Sequence, residues 1–364
     1  VDAGFAYNNV NRMNEGTSED FTLDSGNHNG SRFIFSGTED LGNGYAVSFY
    51  LENGFSLDDG NNGQNGRLFG REARMSFETP YGTMSFGRMG SLTSGLGTYD
   101  IFQYWGDTFD GGWAYAMDLG NWFARDRYDN MLTLVTPKVA GFTGYFQYSF
   151  GTDNVSEDEK TEEIYNADSN IGERTKQRYA ALGLTYENGP LRTVLVLDTI
   201  LRKHWNTDGT PYVDRDLDDA QAVSLGVGYD FDFMTITFGA QYGKNEDQSF
   251  FLSDSTIQTY DAAAGTRSAY NATADGYTLG LGASFPLPCG TFRAAAYYGD
   301  VEVNDSVGEK YKNFNIVLGH EYPFSKHTFS YVGLAYKQAW AKAEGNKFDE
   351  ERTFTGMVGL VHKF

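Results

Sequence analysis

Apolar and polar residues alternate with period two along much of this chain. In GYAVSFYLENGF, Tyr45, Val47, Phe49, Leu51 and Phe55 share one face, and Ala46, Ser48, Tyr50, Glu52 and Gly54 take the other. DFMTITFGAQYG sets Met234, Ile236, Phe238, Ala240 and Tyr242 against Thr235, Thr237, Gly239 and Gln241. GYTLGLGASF places Tyr277, Leu279, Leu281, Ala283 and Phe285 opposite Thr278, Gly280, Gly282 and Ser284, and NFNIVLGHEY repeats the pattern through Ile316 and Leu318. Successive side chains of a strand point to opposite faces, so each stretch predicts a strand with one apolar flank. The alternation persists in GMVGLVHKF, through Val358, Leu360 and His362 to the last residue, Phe364. Chain ends normally fray; a pattern that holds to the end predicts a strand still paired there, with Phe364 at an apolar boundary. Runs of about 9–11 residues suit a tilted membrane strand.

The connections fall into two classes. Short ones span 39–44, 79–83, 136–142, 187–190, 230–233, 286–290 and 322–326; long ones span 11–30, 56–66, 89–126, 152–174, 203–218, 244–274, 302–310 and 341–351. They alternate strictly, which predicts sixteen strands with both chain ends on the short-turn rim. Short turns on one rim and long loops on the other characterise bacterial outer-membrane barrels, and unpaired backbone is too costly in lipid for an open edge. The expected fold is therefore all-β: a sixteen-stranded antiparallel transmembrane β-barrel forming one domain, 1–364, with short periplasmic turns and long outer loops. A soluble β sandwich, with its last strand in a protein core, is the rival reading.

Composition narrows the function. Glycine is abundant (44) and proline scarce (7), with 25 Tyr and 28 Phe, as many strands with tight bends require. A net charge of −21 speaks against nucleic acid. One cysteine, Cys289, precludes a disulfide framework, and five histidines offer little for a metal centre. Mean hydropathy of −0.48 reads as soluble, but barrel strands expose only alternate residues to lipid. The chain has no run of 18 apolar residues and no visible signal peptide, as expected of a mature exported protein. Neither G-x-S-x-G, H-E-x-x-H nor a P-loop occurs, which argues against an enzyme.

GSRFIFSGTEDLGNGYAVSFYLENGF and LFGREARMSFETPYGTMSFGRM, then RYDNMLTLVTPKVAGFTGYFQYSFG and the closing VGLVHKF, resemble the general porins of Gram-negative bacteria, particularly the neisserial and β-proteobacterial type. The resemblance is dense over 30–90 and 127–150, strong at the end, and loose between. It implies a trimeric barrel in the bacterial outer membrane, in contact with lipid and lipopolysaccharide. It further implies a water-filled channel for passive diffusion of small hydrophilic solutes and ions, with the third loop folded into the lumen. Members usually carry more alternating residues before VDAG, so either the chain is trimmed here or strand one pairs only partly with the last.

Two sets of residues are candidates for the pore. Loop 89–126 carries Asp100, Asp107, Asp110, Asp118 and Asp126 against a single base, Arg125, and is studded with aromatics. Such a loop is packed against something, either inward on the barrel wall or outward on a neighbouring protomer. Opposite it, strand phase aims Arg32, Arg74 and Arg127, with Asp129, into the lumen; Arg192 and Arg293 are further inward candidates. Phase leaves Arg88 undetermined, because it sits where its strand breaks into the loop. The resemblance implies that Arg32, Arg88 and Arg127 form a basic ladder facing the acidic loop; alternatively these arginines neutralise Glu52, Glu72 or Glu78. The loop's acid excess predicts a weak cation preference. A substrate-specific channel is the alternative function, with Tyr99, Tyr104, Trp105 and Trp113 as a solute track. Asp58 and Asp59 in LDDGNNGQNG are weak Ca²⁺ candidates, lacking a distal Glu; no other cofactor is expected.

Overall fold

The protein is represented by a computed structural model, which describes residues 1–13, 15–117, 122–123, 125–152, 177–202, 218–247, 259–261, 266–268, 273–304, 308–343 and 346–364. Its strands are β1 Asp2–Arg12, β2 Gly16–Ser25, β3 Arg32–Gly42, β4 Tyr45–Gly54, β5 Glu72–Thr79, β6 Gly82–Gly90, β7 Arg127–Val135, β8 Phe142–Ser149, β9 Arg178–Asn188, β10 Leu191–Leu201, β11 Ala220–Asp230 and β12 Thr235–Asp247. Then come β13 Thr259–Asp261, β14 Thr266–Ser268, β15 Thr273–Leu287, β16 Gly290–Val303, β17 Lys310–Pro323, β18 Thr328–Ala343 and β19 Asn346–His362. Two short helices, α1 Phe102–Gly106 and α2 Trp113–Met117, interrupt the loop between β6 and β7.

Strands β13 and β14 pair only with each other, and the remaining 17 form one antiparallel sheet. The sheet curls until its N-terminal strand meets its C-terminal one: β1 pairs with β19 from Asp2↔Val361 to Arg12↔Glu351. This corrects the expected count of sixteen. Residues 16–25, read from sequence as part of a long loop, form β2 against β1. The stretch GTSEDFTLDS shows little apolar alternation, and pairing with β1 rather than pattern holds it. Asn9 and Asn11 donate to Glu19 and Thr17 at 3.0 and 2.7 Å, and Phe5 stacks on Phe21. Among the described residues no ladder joins β2 to β3, so the expected closed ring is replaced by a sheet whose two edges are consecutive strands. Residues 26–31 bring those edges together: Ser31 Oγ accepts from the Asp2 N–H at 3.0 Å and lies 3.0 Å from Ser25 Oγ.

The turns expected to be short are so. Asn43 and Gly44 join β3 to β4 with φ of 54° and 81°, the left-handed pair a two-residue hairpin needs. Two connections expected to be long are not, because β16 to β19 run past the expected ends; β18 and β19 are joined by residues 344–345 alone. The last ladder partner is His362, and Phe364 lies beyond it, fully exposed with its ring edge-on to His362.

Exposure is inverted relative to a soluble core. Phe49, Leu182, Leu195, Leu225, Phe238, Leu281, Leu318, Val332 and Val358 are all exposed, whereas Thr185, Ser224, Thr237, Thr278, Asn315 and Thr355 on the opposite phase are buried. A belt of large apolar residues around the whole sheet has no place in water; it is the lipid-facing band of a transmembrane sheet. No helix among the described residues is long and apolar enough to cross a membrane, so strands make the crossing.

Candidate functional site: a loop-narrowed lumen

The chain between β6 and β7 lies inside the curled sheet, and glycines make room for it. Ile101 and Leu92 sit where a Cβ on Gly183 would be, Gly106 backs onto Gly226, and Thr108 lies over Gly282. The Trp122 ring lies against Gly239 and Gly280, Trp113 against Gly319, and Met117 against Gly333. A side chain at any of these positions would collide with the loop. The alternation already put Gly239, Gly280 and Gly282 on the lumenal face; the structure shows them forming a seat that runs from β9 round to β18. Tyr99, Phe102, Phe109, Trp113, Trp122 and Phe123 are thereby buried within the same chain, which answers why the loop is so aromatic. Polar anchors fix its path. Arg125 binds Asp198 at 2.6 Å and Glu246 at 2.7 Å, with all three side chains at most 2% exposed. The Phe123 and Trp113 N–H groups donate to Gln241 Oε1 and the His28 carbonyl at 2.8 and 2.7 Å. Arg293 donates to the Thr108 carbonyl at 2.8 Å.

The predicted loop residues separate. Tyr104 and Asp110 are exposed to the lumen and Trp105 partly so, while Tyr99 and Trp113 are buried. Asp100 accepts the Tyr104 N–H at 3.0 Å at the start of α1, and it remains half-exposed. Asp107 faces the wall, accepting the Tyr297 hydroxyl and the Phe109 N–H. Asp118 lies outside the described residues. Crowding by the wall raises these carboxyls: burial, then the neighbouring Asp110, pushes Asp100 up to about 8. Desolvation in the narrowed lumen and the neighbouring Asp107 push Asp110 up to about 6 against the pull of Arg293 and Arg192. Burial also raises Asp107.

The wall of β3 to β5 is left open and is lined by paired charges. Arg32 Nη1 and Arg71 Nε reach Glu52 at 3.1 and 2.6 Å, and Arg74 pairs with Glu72. Arg74 also lies over the Tyr50 and Tyr99 rings, 5.1 and 5.5 Å from their centroids. Glu72 accepts from the Thr98 N–H at 3.1 Å, tying the start of the loop to this wall. Strand phase alone had aimed Arg32 and Arg74 inward, and the structure brings these two together. The pairing of these arginines with Glu52 and Glu72 is the alternative the sequence offered; Arg71 and the anchoring of Arg125 by Asp198 and Glu246 were not singled out. Glu52 sits in the inward phase of its strand, a usable signal; Arg71 precedes its strand and has no phase to read.

Arg88 and Arg127 depart from expectation. Gly87 pairs with Met131 but Met89 with Tyr128, so β7 sets two residues, Asp129 and Asn130, against Arg88 alone, with Asn130 at φ 51°. That bulge reverses the phase above it. Tyr128 turns inward onto Tyr179, with centroids 4.9 Å apart, and Asp129 turns outward. Arg88, on the phase of exposed Phe86, binds Asp129 Oδ1 at 2.7 Å and the Gly70 carbonyl at 2.7 Å. Arg127 follows the same outward phase and is buried. Neither joins Arg32 and Arg74. At 57–66, exposed Asp58 and Asp59 flank a turn in which Asp59 accepts from the Asn61 N–H at 2.8 Å; among the described residues no group of three His, Cys, Asp or Glu gathers for a metal.

A sheet with an apolar outer face, wrapped round a polar lumen that its own loop narrows, defines a transmembrane channel. The comparisons with known proteins agree. Residues 1–358 match the Gram-negative porin family. An outer membrane porin protein of Bordetella pertussis is 30% identical over 388 residues, covering 100% of this chain and 92% of the relative. Two solved structures share the fold. An anion-selective porin from Comamonas acidovorans has TM-score 0.65 and 22% identity, covering 100% of this chain and 99% of that one. OmpT of Vibrio cholerae in a trimer form has TM-score 0.53 and 14% identity, covering 99% and 98%. The chain belongs to the Gram-negative porins. It is an outer-membrane channel for passive diffusion, and the family and its relatives are channels rather than enzymes.

Proposed function

We propose that the chain is a general diffusion porin with a weak cation preference, acting as a homotrimer. The observation that carries this reading is the distribution of charge across the lumen. Every guanidinium of the β3–β5 wall has a carboxylate partner, whereas Asp110 stands exposed on the loop opposite. The basic wall is thus largely neutralised at short range. Charges lining an opening of about a Debye length, ~8 Å at physiological salt, act on each passing ion. Burial of Tyr99 and Trp113 favours unselective passage over a solute-binding track, since a track needs exposed rings. The Comamonas relative is anion-selective by name; at 22% identity it supports the fold and leaves selectivity to the lumenal charges of this chain.

The experiment is a planar bilayer holding the purified protein in a tenfold KCl gradient. A reversal potential of the sign for K⁺ over Cl⁻ supports the proposal; anion preference overturns it. Saturable block by one sugar at sub-millimolar concentration would establish the specific-channel alternative. Chemical crosslinking in detergent tests the trimer.

A further inference from the structure

One turn of the constriction loop has the hand that side chains avoid. Trp113, Ala114, Ala116 and Met117 of α2 have φ of 54°, 44°, 42° and 59°, and Asp110 and Gly111 lead into it at 50° and 60°. The Ala116 N–H donates to the Gly112 carbonyl at 2.9 Å, so the turn is helical and left-handed. No glycine lies within 113–117. A Cβ in this conformation crowds the following carbonyl oxygen, and residues that carry one visit it singly rather than in succession. In the same loop α1 has no residue of positive φ. Backbone strain of this kind persists only where the surroundings over-determine it.

Here the surroundings are a clasp from the far end of the chain. In the segment 26–31 the His28 carbonyl accepts the Trp113 N–H at 2.7 Å, and the imidazole packs on the Trp113 ring with centroids 4.9 Å apart. His28 is itself held on three sides. Its Nε2 lies 2.9 Å from Glu321 Oε1 on β17. Its N–H and that of Asn29 donate to Asp2 Oδ2 at 2.7 and 3.0 Å. Its ring meets Phe329 and Tyr331 of β18 at 5.0 and 5.3 Å, and the Tyr331 hydroxyl donates to Asp2 Oδ1 at 2.9 Å. Further along the turn, Asn315 Nδ2 donates to the Ala116 carbonyl at 3.0 Å. His28 thus touches both Trp113 and the wall behind it.

We infer that His28 is a positioning residue for the pore. It latches residues 113–117 in the left-handed turn, with Trp113 against the wall. Release lets the turn relax to the ordinary hand and carries Trp113 toward the opening. A loop that only filled the lumen could take the ordinary hand throughout, as α1 does. A latched turn instead has two discrete arrangements, and such bistability turns a local change into a switch. The latched arrangement is the wide level of the channel and the relaxed one the narrow level. The inference rests on the place of the loop inside the sheet and not on ion preference.

Single-channel recording of the full chain in planar bilayers tests it. His28→Ala should spend at least about tenfold more time than the wild type at a level of reduced conductance. His28→Gln, whose amide can still reach Glu321, should fall between the two. Ala114→Gly with Ala116→Gly accepts positive φ without strain, so adding this pair to His28→Ala should return the dwell times to within about twofold of the wild type. In a right-handed helix the same glycines would loosen the segment, and more time at the reduced level on adding them overturns the inference. A merely structural role for His28 lowers thermal stability and leaves the dwell times unchanged, which also overturns it. If His28→Ala fails to fold, judged by heat-resistant gel mobility, the glycine pair in the wild-type background decides: it should raise the unfolding temperature, and a fall overturns the inference.

Discussion

Single side chains hold the loop in place or set the field it carries, and two of them separate these roles. Arg125 is the only basic residue of loop 89–126 and is buried between Asp198 and Glu246. Removing one partner of a buried ion pair costs about 3–5 kcal/mol because a charge is left without compensation. Arg125→Met should therefore lower thermal stability and raise open-channel current noise as the loop loosens; differential scanning calorimetry and single-channel recording check the two effects. Asp110 instead faces the lumen. A unit charge about 8 Å from an ion in water is worth about 0.5 kcal/mol, roughly a twofold bias, so Asp110→Asn should reduce the cation-to-anion permeability ratio by up to about twofold. Its pH dependence follows from its raised pKa. Above about 6 the carboxylate is charged and the preference is present; as pH falls through about 6 it is lost. Asp100, raised to about 8, adds a second rise in the alkaline range. Reversal potentials from pH 5 to 9 should thus climb in two steps in the wild type, with the lower step missing in Asp110→Asn.

Between elements, the deciding device is the meeting of bare strand backbone with loop side chains. Gly319 on β17 and Gly333 on β18 leave just enough room for Trp113 and Met117 of α2. Gly319→Val would push the Trp113 ring off the wall toward the opening. Overpacking of this kind costs about 1–3 kcal/mol, and single-channel conductance should fall; an unchanged conductance would mean that the seat does not set the aperture. The bulge in β7 works the other way, since one extra residue at Asn130 moves Asp129 from the lumen to the outside and pairs it with Arg88, which regular alternation would have kept apart from it.

For the whole molecule, stability depends on two solvents. Leu281, halfway along β15 and 57% exposed, faces the apolar band. Leu281→Arg should cost about 2–4 kcal/mol at midplane depth, read as a lower urea midpoint for the protein folded into lipid vesicles. The lumenal Thr278→Ala should cost far less. The acidic surplus behind the net charge of −21 lies heavily in loop 152–174, with eight acids and two bases, outside the described residues. Salt screens charges standing beyond a Debye length, so whole-chain charge is a poor guide to permeation.

Alternation along the chain pointed to a transmembrane β sheet, the class the family match then showed. A period-two pattern records which side chain meets lipid and which meets water one residue at a time, and loop length sorts the rims, so strands, orientation and the inward course of Arg32 and Arg74 were legible. So were the lumenal glycines, although their purpose was not. Local pattern carries no information on contacts between distant segments, and there the tertiary structure decided. It drew a polar stretch, 16–25, into the sheet beside β1, because backbone pairing needs no apolar face. It turned Asp107 into the wall toward Tyr297, some 190 residues away. It reversed the phase of β7 above Asn130, because a bulge is an irregularity in pairing that neither strand's own sequence displays. Which face a side chain prefers is a property of the residue and its neighbours; where that face points depends on the strand beside it.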